Sequence, residues 1–133
     1  MKPALVVDAS AINEALVDAT GRGEAVRGIL SGFHAWVAPH HVDLECLNSW
    51  RGMVRRRELP RWRMSEVIRD LGDLPIDRQP TFAFHERIDE LTDNVTPYDA
   101  AYVVLAEAFD LALLTIDARL ARANGPRCEF ILV

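Results

Sequence analysis

Apolar positions along this chain fall into short unbroken runs that alternate with longer stretches of helical spacing. The first run, "ALVV" (4–7), is rich in valine and ends at Asp8, the pattern of a strand buried in a parallel sheet. "SAINEALVDATG" predicts a helix with Ser10 as its N-cap and Gly21 as its stop, and "GEAVRGIL" (23–30) a second short helix. "HAWVAP" reads as a strand halted by Pro39. From His40 to about Arg57 the spacing is helical, with Val42, Cys46, Trp50, Met53 and Val54 on one face. "LPRWRMSEVIRDLG" predicts another helix, with Pro60 near its first turn and Gly72 as its C-terminal signal. "LPIDRQP" reads as a connector in which "PID" can end a short strand, and "TFAFHERIDELTD" as a further helix. Thr96-Pro97-Tyr98-Asp99 is a helix start, with a threonine N-cap, proline at the first helical position and an acid at the third. "YDAAYVVLAEAF" is apolar nearly all round and so belongs in the interior. "LALLTI" predicts a buried strand ending at Asp117, "DARLARA" a short helix or turn, and "FILV" (130–133) a last strand. Strands alternating with helices predict one α/β domain over residues 1–133, with a mainly parallel sheet covered on both faces.

That layout gives four acids a common address. Sites in open α/β sheets form at the carboxyl ends of the strands. Asp8 ends the first strand and Asp117 ends "LALLTI". Asp99 opens the helix that feeds that strand, and Glu45 sits in the first turns of the helix after "HAWV". Each acid has a local explanation: Asp8 and Asp117 as N-caps, Asp99 as part of a capping box, Glu45 as a solvated helix residue. Together they are costly. Two like charges ~4 Å apart repel by roughly 4 kcal/mol at an effective dielectric of about 20. No lysine or arginine adjoins Asp8, Glu45 or Asp99 in the sequence. A hard divalent cation with oxygen ligands, Mg²⁺ or Mn²⁺, relieves the repulsion, so the acids are read as metal ligands.

Charge is uneven. The net charge is −5, yet residues 51–69 hold seven arginines against two glutamates, which makes that segment +5 and the remainder −10. Arg51, Arg55, Arg56, Arg57, Arg61 and Arg63 are therefore candidate contacts to a phosphate backbone, with Trp50 and Trp62 as candidate stacking platforms. The two cysteines, Cys46 and Cys128, form no C-x-x-C pair and read as small buried hydrophobes. No apolar run has bilayer length and the start lacks a signal-peptide layout, which predicts a cytoplasmic protein with no membrane association.

"VVDAS", "APHHVDLECLNSW", "TPYDAAYVVLAEAFDLALLTIDARLA" and the hydrophobic end, in this order and spacing, resemble the PIN-domain ribonucleases, and within them the VapC-type toxins of bacterial toxin–antitoxin pairs. The resemblance frames nearly the whole chain, although residues 50–90 carry little of it. It implies a three-layer α/β/α fold and a Mg²⁺- or Mn²⁺-dependent endoribonuclease. It places the family's acidic quartet on Asp8, Glu45, Asp99 and Asp117, and supporting hydroxyls on Ser10 and Thr115. It further implies structured RNA such as transfer or ribosomal RNA as substrate, a homodimer, and silencing by a cognate VapB antitoxin. Two features depart from the family pattern: His40-His41 stands where apolar residues are usual, and Asn13-Glu14 makes the first helix more polar. His41 and Glu45 are four apart on one helix face, but without an H-E-x-x-H motif His41 is read as a neighbour of the site and not a ligand.

Other classes fit less well. Receiver domains and haloacid-dehalogenase-like phosphatases rely on a lysine beside the phosphate, and the only lysine is Lys2, before the first strand. No G-x-x-x-x-G-K is present, which excludes a P-loop ATPase. The alternatives that keep the fold are a non-catalytic RNA- or partner-binding module whose acids hold a stabilising ion, and a nuclease acting on DNA or branched structures.

Overall fold

The computed structural model describes residues 3–133. Among these described residues, five strands form one sheet: β1 (Ala4–Val7), β2 (Ala35–Pro39), β3 (Ile76–Gln79), β4 (Leu113–Thr115) and β5 (Phe130–Leu132). All pairings are parallel and the order is β3-β2-β1-β4-β5. Seven helices among the described residues cover it: α1 (Ala9–Val17), α2 (Gly21–Leu30), α3 (Val42–Arg55), α4 (Arg61–Asp73), α5 (His85–Leu91), α6 (Pro97–Phe109) and α7 (Ala118–Ala121), with a 3₁₀ turn at Phe82–Phe84. The result is a three-layer α/β/α fold, and its sheet is wholly rather than mainly parallel.

The chain winds outward from β1 to β2 to β3, then returns through α5 and α6 to β4 on the other side of β1. The direction of winding therefore reverses between β1 and β4. At such a switch point the loops leaving neighbouring strands diverge and open a crevice at the carboxyl edge. β1 lies in the middle of the sheet, and Leu5, Val6 and Val7 are fully buried. α6 packs across β1, β2 and β4. Seven consecutive residues of it, Ala100–Ala106, are buried, which is why it is apolar on every side.

Several boundaries differ from those predicted. Ser10 does not cap α1; Asp8 does, accepting from the Ala11 amide, and Ser10 lies inside the helix. α1 ends at Val17, capped by Asp18, and Gly21 opens α2 instead of closing α1. Gly72 lies within α4, one residue before its end. The connector at 74–80 contains β3, an edge strand paired to β2 from Trp36↔Ile76 to Pro39↔Gln79. The helix expected over 81–93 breaks into the 3₁₀ turn and α5. Cys46 is buried, but Cys128 is only half-buried; burial pushes their thiols up to about 12 and about 11. Trp50 is fully buried, so it cannot stack on a ligand. Its indole N–H donates to Asn13 Oδ1 at 2.6 Å, which explains a polar residue on the first helix.

Candidate active site

The crevice between β1 and β4 is built outward from Asp8. This carboxylate is 5% exposed and is held by three donors. Ser10 Oγ and the Ala11 amide reach Oδ1 at 2.6 and 2.9 Å, and the Thr115 hydroxyl donates to Oδ2. Thr115 is itself fully buried at the end of β4 and accepts the Asp117 amide at 3.0 Å. A relay of Asp117 N–H, Thr115 hydroxyl and Asp8 carboxylate therefore ties the ends of the two central strands together. Both hydroxyls expected to support the site, Ser10 and Thr115, take part in it.

Asp117 caps α7, and its Oδ1 accepts the amides of Arg119 and Leu120 at 2.9 and 3.3 Å. Its Oδ2 has no partner among the described residues. Asp99 stands at the third position of α6, where Thr96 caps the helix by accepting its amide at 3.2 Å. Glu45 projects from the first turns of α3. The buried Tyr102 hydroxyl donates to Glu45 Oε1 at 2.6 Å, and His41 Nε2 stands 3.2 Å from the same oxygen. Both acceptors near His41 Nε2, Glu45 Oε1 and the Tyr98 carbonyl at 3.2 Å, require that nitrogen to carry the proton. Glu45 Oε2 has no partner among the described residues.

These acids feel one another. Burial pushes Asp8 from 3.8 up to about 6 despite its three donors, and Asp99 adds to the rise. Asp99 is raised first by burial, then by Glu45 and by Asp117, against relief from Thr96 and Arg119. One electrostatic cluster thus joins four side chains from four elements. The bond to Glu45 lifts His41 above the ordinary imidazole value, against the opposing effect of burial. Burial and Glu45 hold Tyr102 firmly in its neutral, donating form. Tyr102 escaped the sequence reading. The signal for it was a hydroxyl on an otherwise apolar buried helix, one turn after Asp99, because buried tyrosine hydroxyls find partners.

Proximity stops short of a closed cage: among the described residues no group of three or more His, Cys, Asp or Glu is drawn tightly enough to enclose an ion. Two clefts flank the cluster instead. One, of about 340 Å³, is walled by Asp99, Asp117, Thr96 and Arg119. The other, of about 490 Å³, lies between Glu45, His41, Leu44, Asn48 and Tyr98. A wider cleft of about 660 Å³ lies at the far end of α6, and its Glu107 is committed to Arg87 and to the Arg127 amide.

The arginine-rich segment divides. Arg56 is paired with Glu58 at 2.9 Å. Arg63 bonds Glu66 and the Leu16 carbonyl and approaches Asp70, which makes it a strut between α4 and α1. Arg51, Arg55, Arg57 and Arg61 are exposed with no partner among the described residues. Trp62 is 67% exposed. No helix among the described residues is long and apolar enough to cross a membrane.

Residues 5–126 match the PIN domain family. Ribonuclease VapC9 of Mycobacterium tuberculosis (strain ATCC 25618 / H37Rv) is 35% identical over 129 residues, covering 97% of this chain and 98% of that one. Ribonuclease VapC12 of the same strain is 36% identical with the same coverage. Ribonuclease VapC1 is 38% identical over 96% of both chains. The crystal structure of PAE2754 from Pyrobaculum aerophilum superposes with a TM-score of 0.70 at 19% identity, over 98% of this chain and 84% of that one, and supports the fold. The chain belongs to the PIN-domain family, among its VapC-type members.

Proposed function

We propose that this chain is a divalent-metal-dependent endoribonuclease, the toxin of a cytoplasmic toxin–antitoxin pair, held inactive by a VapB-type antitoxin. That its relatives VapC9, VapC12 and VapC1 are named ribonucleases supports this activity. The observation that carries the reading is the coupled cluster at the switch point, where an almost fully buried carboxylate is pushed to about 6 beside three further acids. A site that gathers unneutralised carboxylates is suited to a hard cation, and ions of this class keep several waters and need only one or two protein carboxylates. Asp8, Asp99 and Asp117 would hold the ion or ions, with Glu45 direct or through water. Bound there, Mg²⁺ or Mn²⁺ would supply Lewis-acid chemistry, favouring deprotonation of water and offsetting negative charge at the phosphate.

The protein supplies the rest. Ser10 and Thr115 fix Asp8, and Tyr102 with His41 fixes one oxygen of Glu45, leaving the other without a partner among the described residues. We assign Glu45, or Asp117 through its open Oδ2, the role of accepting the proton of the attacking water. The water oxygen bonds to phosphorus as the bond to the 3′-oxygen breaks, and the leaving oxygen is protonated from solvent. The products carry 5′-phosphate and 3′-hydroxyl ends, since the ribose 2′-hydroxyl takes no part. Structured RNA, transfer or ribosomal, is the proposed substrate, and a homodimer the proposed assembly. The unpartnered arginines offset the acidic remainder of the molecule toward a polyanion. Ligation of the fragments without prior kinase treatment tests the chemistry. Ready ligation through 5′-phosphates is expected, whereas 2′,3′-cyclic phosphate ends would rule out attack by external water.

A further inference from the structure

Arg119 stands apart from the other cations of the chain. It follows Asp117 by two residues on α7 and lines the cleft walled by Asp99 and Asp117. Among the described residues no other arginine or lysine lines either cleft of the site. Where this fold uses arginine as a strut, it pairs it: Arg78 holds Asp43 at 2.6 and 2.7 Å, and Arg87 holds Glu107 at 2.9 and 3.0 Å. The Arg119 guanidinium is exposed and makes no hydrogen bond or salt bridge among the described residues. Its charge still reaches the acids, since it lowers the Asp99 carboxyl against burial, Glu45 and Asp117. The backbone that carries it is fixed, because Asp117 Oδ1 accepts the Arg119 amide at 2.9 Å. A free guanidinium is thus anchored at the rim of an acid cluster and committed to nothing within the fold.

The two clefts give the site two sides. Tyr98 and Asp99 are consecutive on α6, about 100° apart around the helix, and they line different clefts. Glu45 belongs to the Tyr98 side and Arg119 to the Asp99 side. In an in-line displacement the nucleophile enters and the leaving oxygen departs on opposite sides of phosphorus. A phosphodiester lying across the acids therefore meets a carboxylate base on one side and a guanidinium on the other. Negative charge develops on the departing oxygen, and a donor already aimed at that place stabilises it without reorganising. Arginine is suited to the task because it stays charged and offers several N–H donors.

We propose that Arg119 is a catalytic residue on the leaving side of the reaction, its guanidinium donating hydrogen bonds to the 3′-oxygen as the bond to phosphorus breaks. The water oxygen bonds to phosphorus and Glu45 takes one of its protons. The 3′-oxygen departs with the electron pair of the broken bond and takes a proton from solvent, while Arg119 keeps all of its own. This role rests on the nuclease reading above. It also selects Glu45 over Asp117 as the base, since Asp117 shares the cleft of Arg119.

The test uses the full chain, free of any partner, with Mn²⁺. The probe is an RNA that wild type cuts in mixed transfer and ribosomal RNA. It is rebuilt by ligation with either the natural linkage at the cut bond or a bridging sulfur in place of the 3′-oxygen. A thiolate departs with less need of a donor beside it. Arg119→Ala should lower kcat on the natural linkage about 100-fold with KM little changed, as for loss of one donor to developing charge. Arg119→Lys should restore part of the rate, because the charge is kept and the planar fork is lost. On the sulfur linkage wild type and Arg119→Ala should be nearly equal. Mn²⁺ binding, measured by calorimetry without RNA, should be at least as tight in Arg119→Ala, because a repelling charge has been removed. Arg122→Ala, exposed and outside both clefts, serves as the unchanged control. Equal kcat on the natural linkage in wild type and Arg119→Ala would overturn the role. So would a defect carried wholly in KM, or one as large on sulfur as on oxygen, since either places Arg119 away from the leaving atom. Weaker Mn²⁺ binding in Arg119→Ala would make it a support of the ion instead. In all these outcomes the nuclease reading stands. Folded wild type that leaves every RNA whole would remove that reading, and the role of Arg119 with it.

Discussion

Asp8 carries an electrostatic cost that three hydrogen bonds do not remove. Its carboxyl is raised from 3.8 to about 6 in the folded chain. Between those values the folded state binds more protons than the unfolded state, so stability is highest below about 3.8, falls as pH rises toward about 6, and is flat above. At roughly 1.4 kcal/mol per pKa unit the penalty at neutral pH is on the order of 3 kcal/mol. We therefore expect Asp8→Asn, in the presence of chelator, to be more stable than wild type by up to about 3 kcal/mol at pH 7.5, with the difference shrinking toward zero near pH 4. Denaturant titration at both pH values checks this, and an equal difference at both would contradict it. The same substitution should abolish cleavage. The acids themselves were legible in the sequence because each adjoins an apolar run or a helix start whose place in the sheet follows from topology. His41 was legible as a neighbour of Glu45 from their four-residue spacing, whereas Tyr102 was not assigned to it, because a hydroxyl 57 residues away in sequence meets Glu45 only once the chain is folded.

At the scale of elements, the strands with unbroken apolar runs were readable because a central parallel strand is buried on both faces. β3 was read as a connector with only a short strand ending at "PID", for the converse reason. It lies at the sheet edge, and Ile-Asp-Arg-Gln shows neither a run nor a clean alternation. Ser10 was misassigned because Asp8, Ala9 and Ser10 offer two capping side chains within one turn; the structure uses the aspartate, and the serine supports it instead. The polar first helix makes its own prediction. Asn13 takes the indole N–H of a fully buried Trp50, and Asn13→Ala leaves that donor unsatisfied. The expected loss is about 1–3 kcal/mol, read by denaturant unfolding. No loss would mean that the α1–α3 contact tolerates an orphan donor. At the other end of the site, Thr96→Ala removes the cap of α6 and should cost about 1 kcal/mol.

For the molecule as a whole, the wholly parallel sheet and its reversal of winding bring Asp8 and Asp117 together, and α6 and α3 deliver Asp99 and Glu45 to the same edge. The fold is thereby strained by like charges at one place and satisfied elsewhere: no buried side-chain polar atom among the described residues lacks a partner. An ion that binds the folded site and not the unfolded chain stabilises by mass action, about 2.7 kcal/mol at a hundredfold excess over its Kd. Mg²⁺ or Mn²⁺ should therefore raise the Tm of wild type at pH 7.5, by less at pH 5 where protons compete for the carboxylates, and little in Asp99→Asn. A Tm unmoved by either ion in wild type would count against a metal site.

The most direct measurement is cleavage itself. Purified protein, stripped of any bound partner, is incubated with mixed transfer and ribosomal RNA in Mg²⁺, in Mn²⁺ and in chelator, beside Asp99→Asn. We expect discrete fragments that require metal and vanish in the variant. Undiminished cleavage in chelator or in folded Asp99→Asn would contradict it, and a metal-loaded, partner-free wild type that leaves the RNA whole would point instead to a binding module built on the same fold.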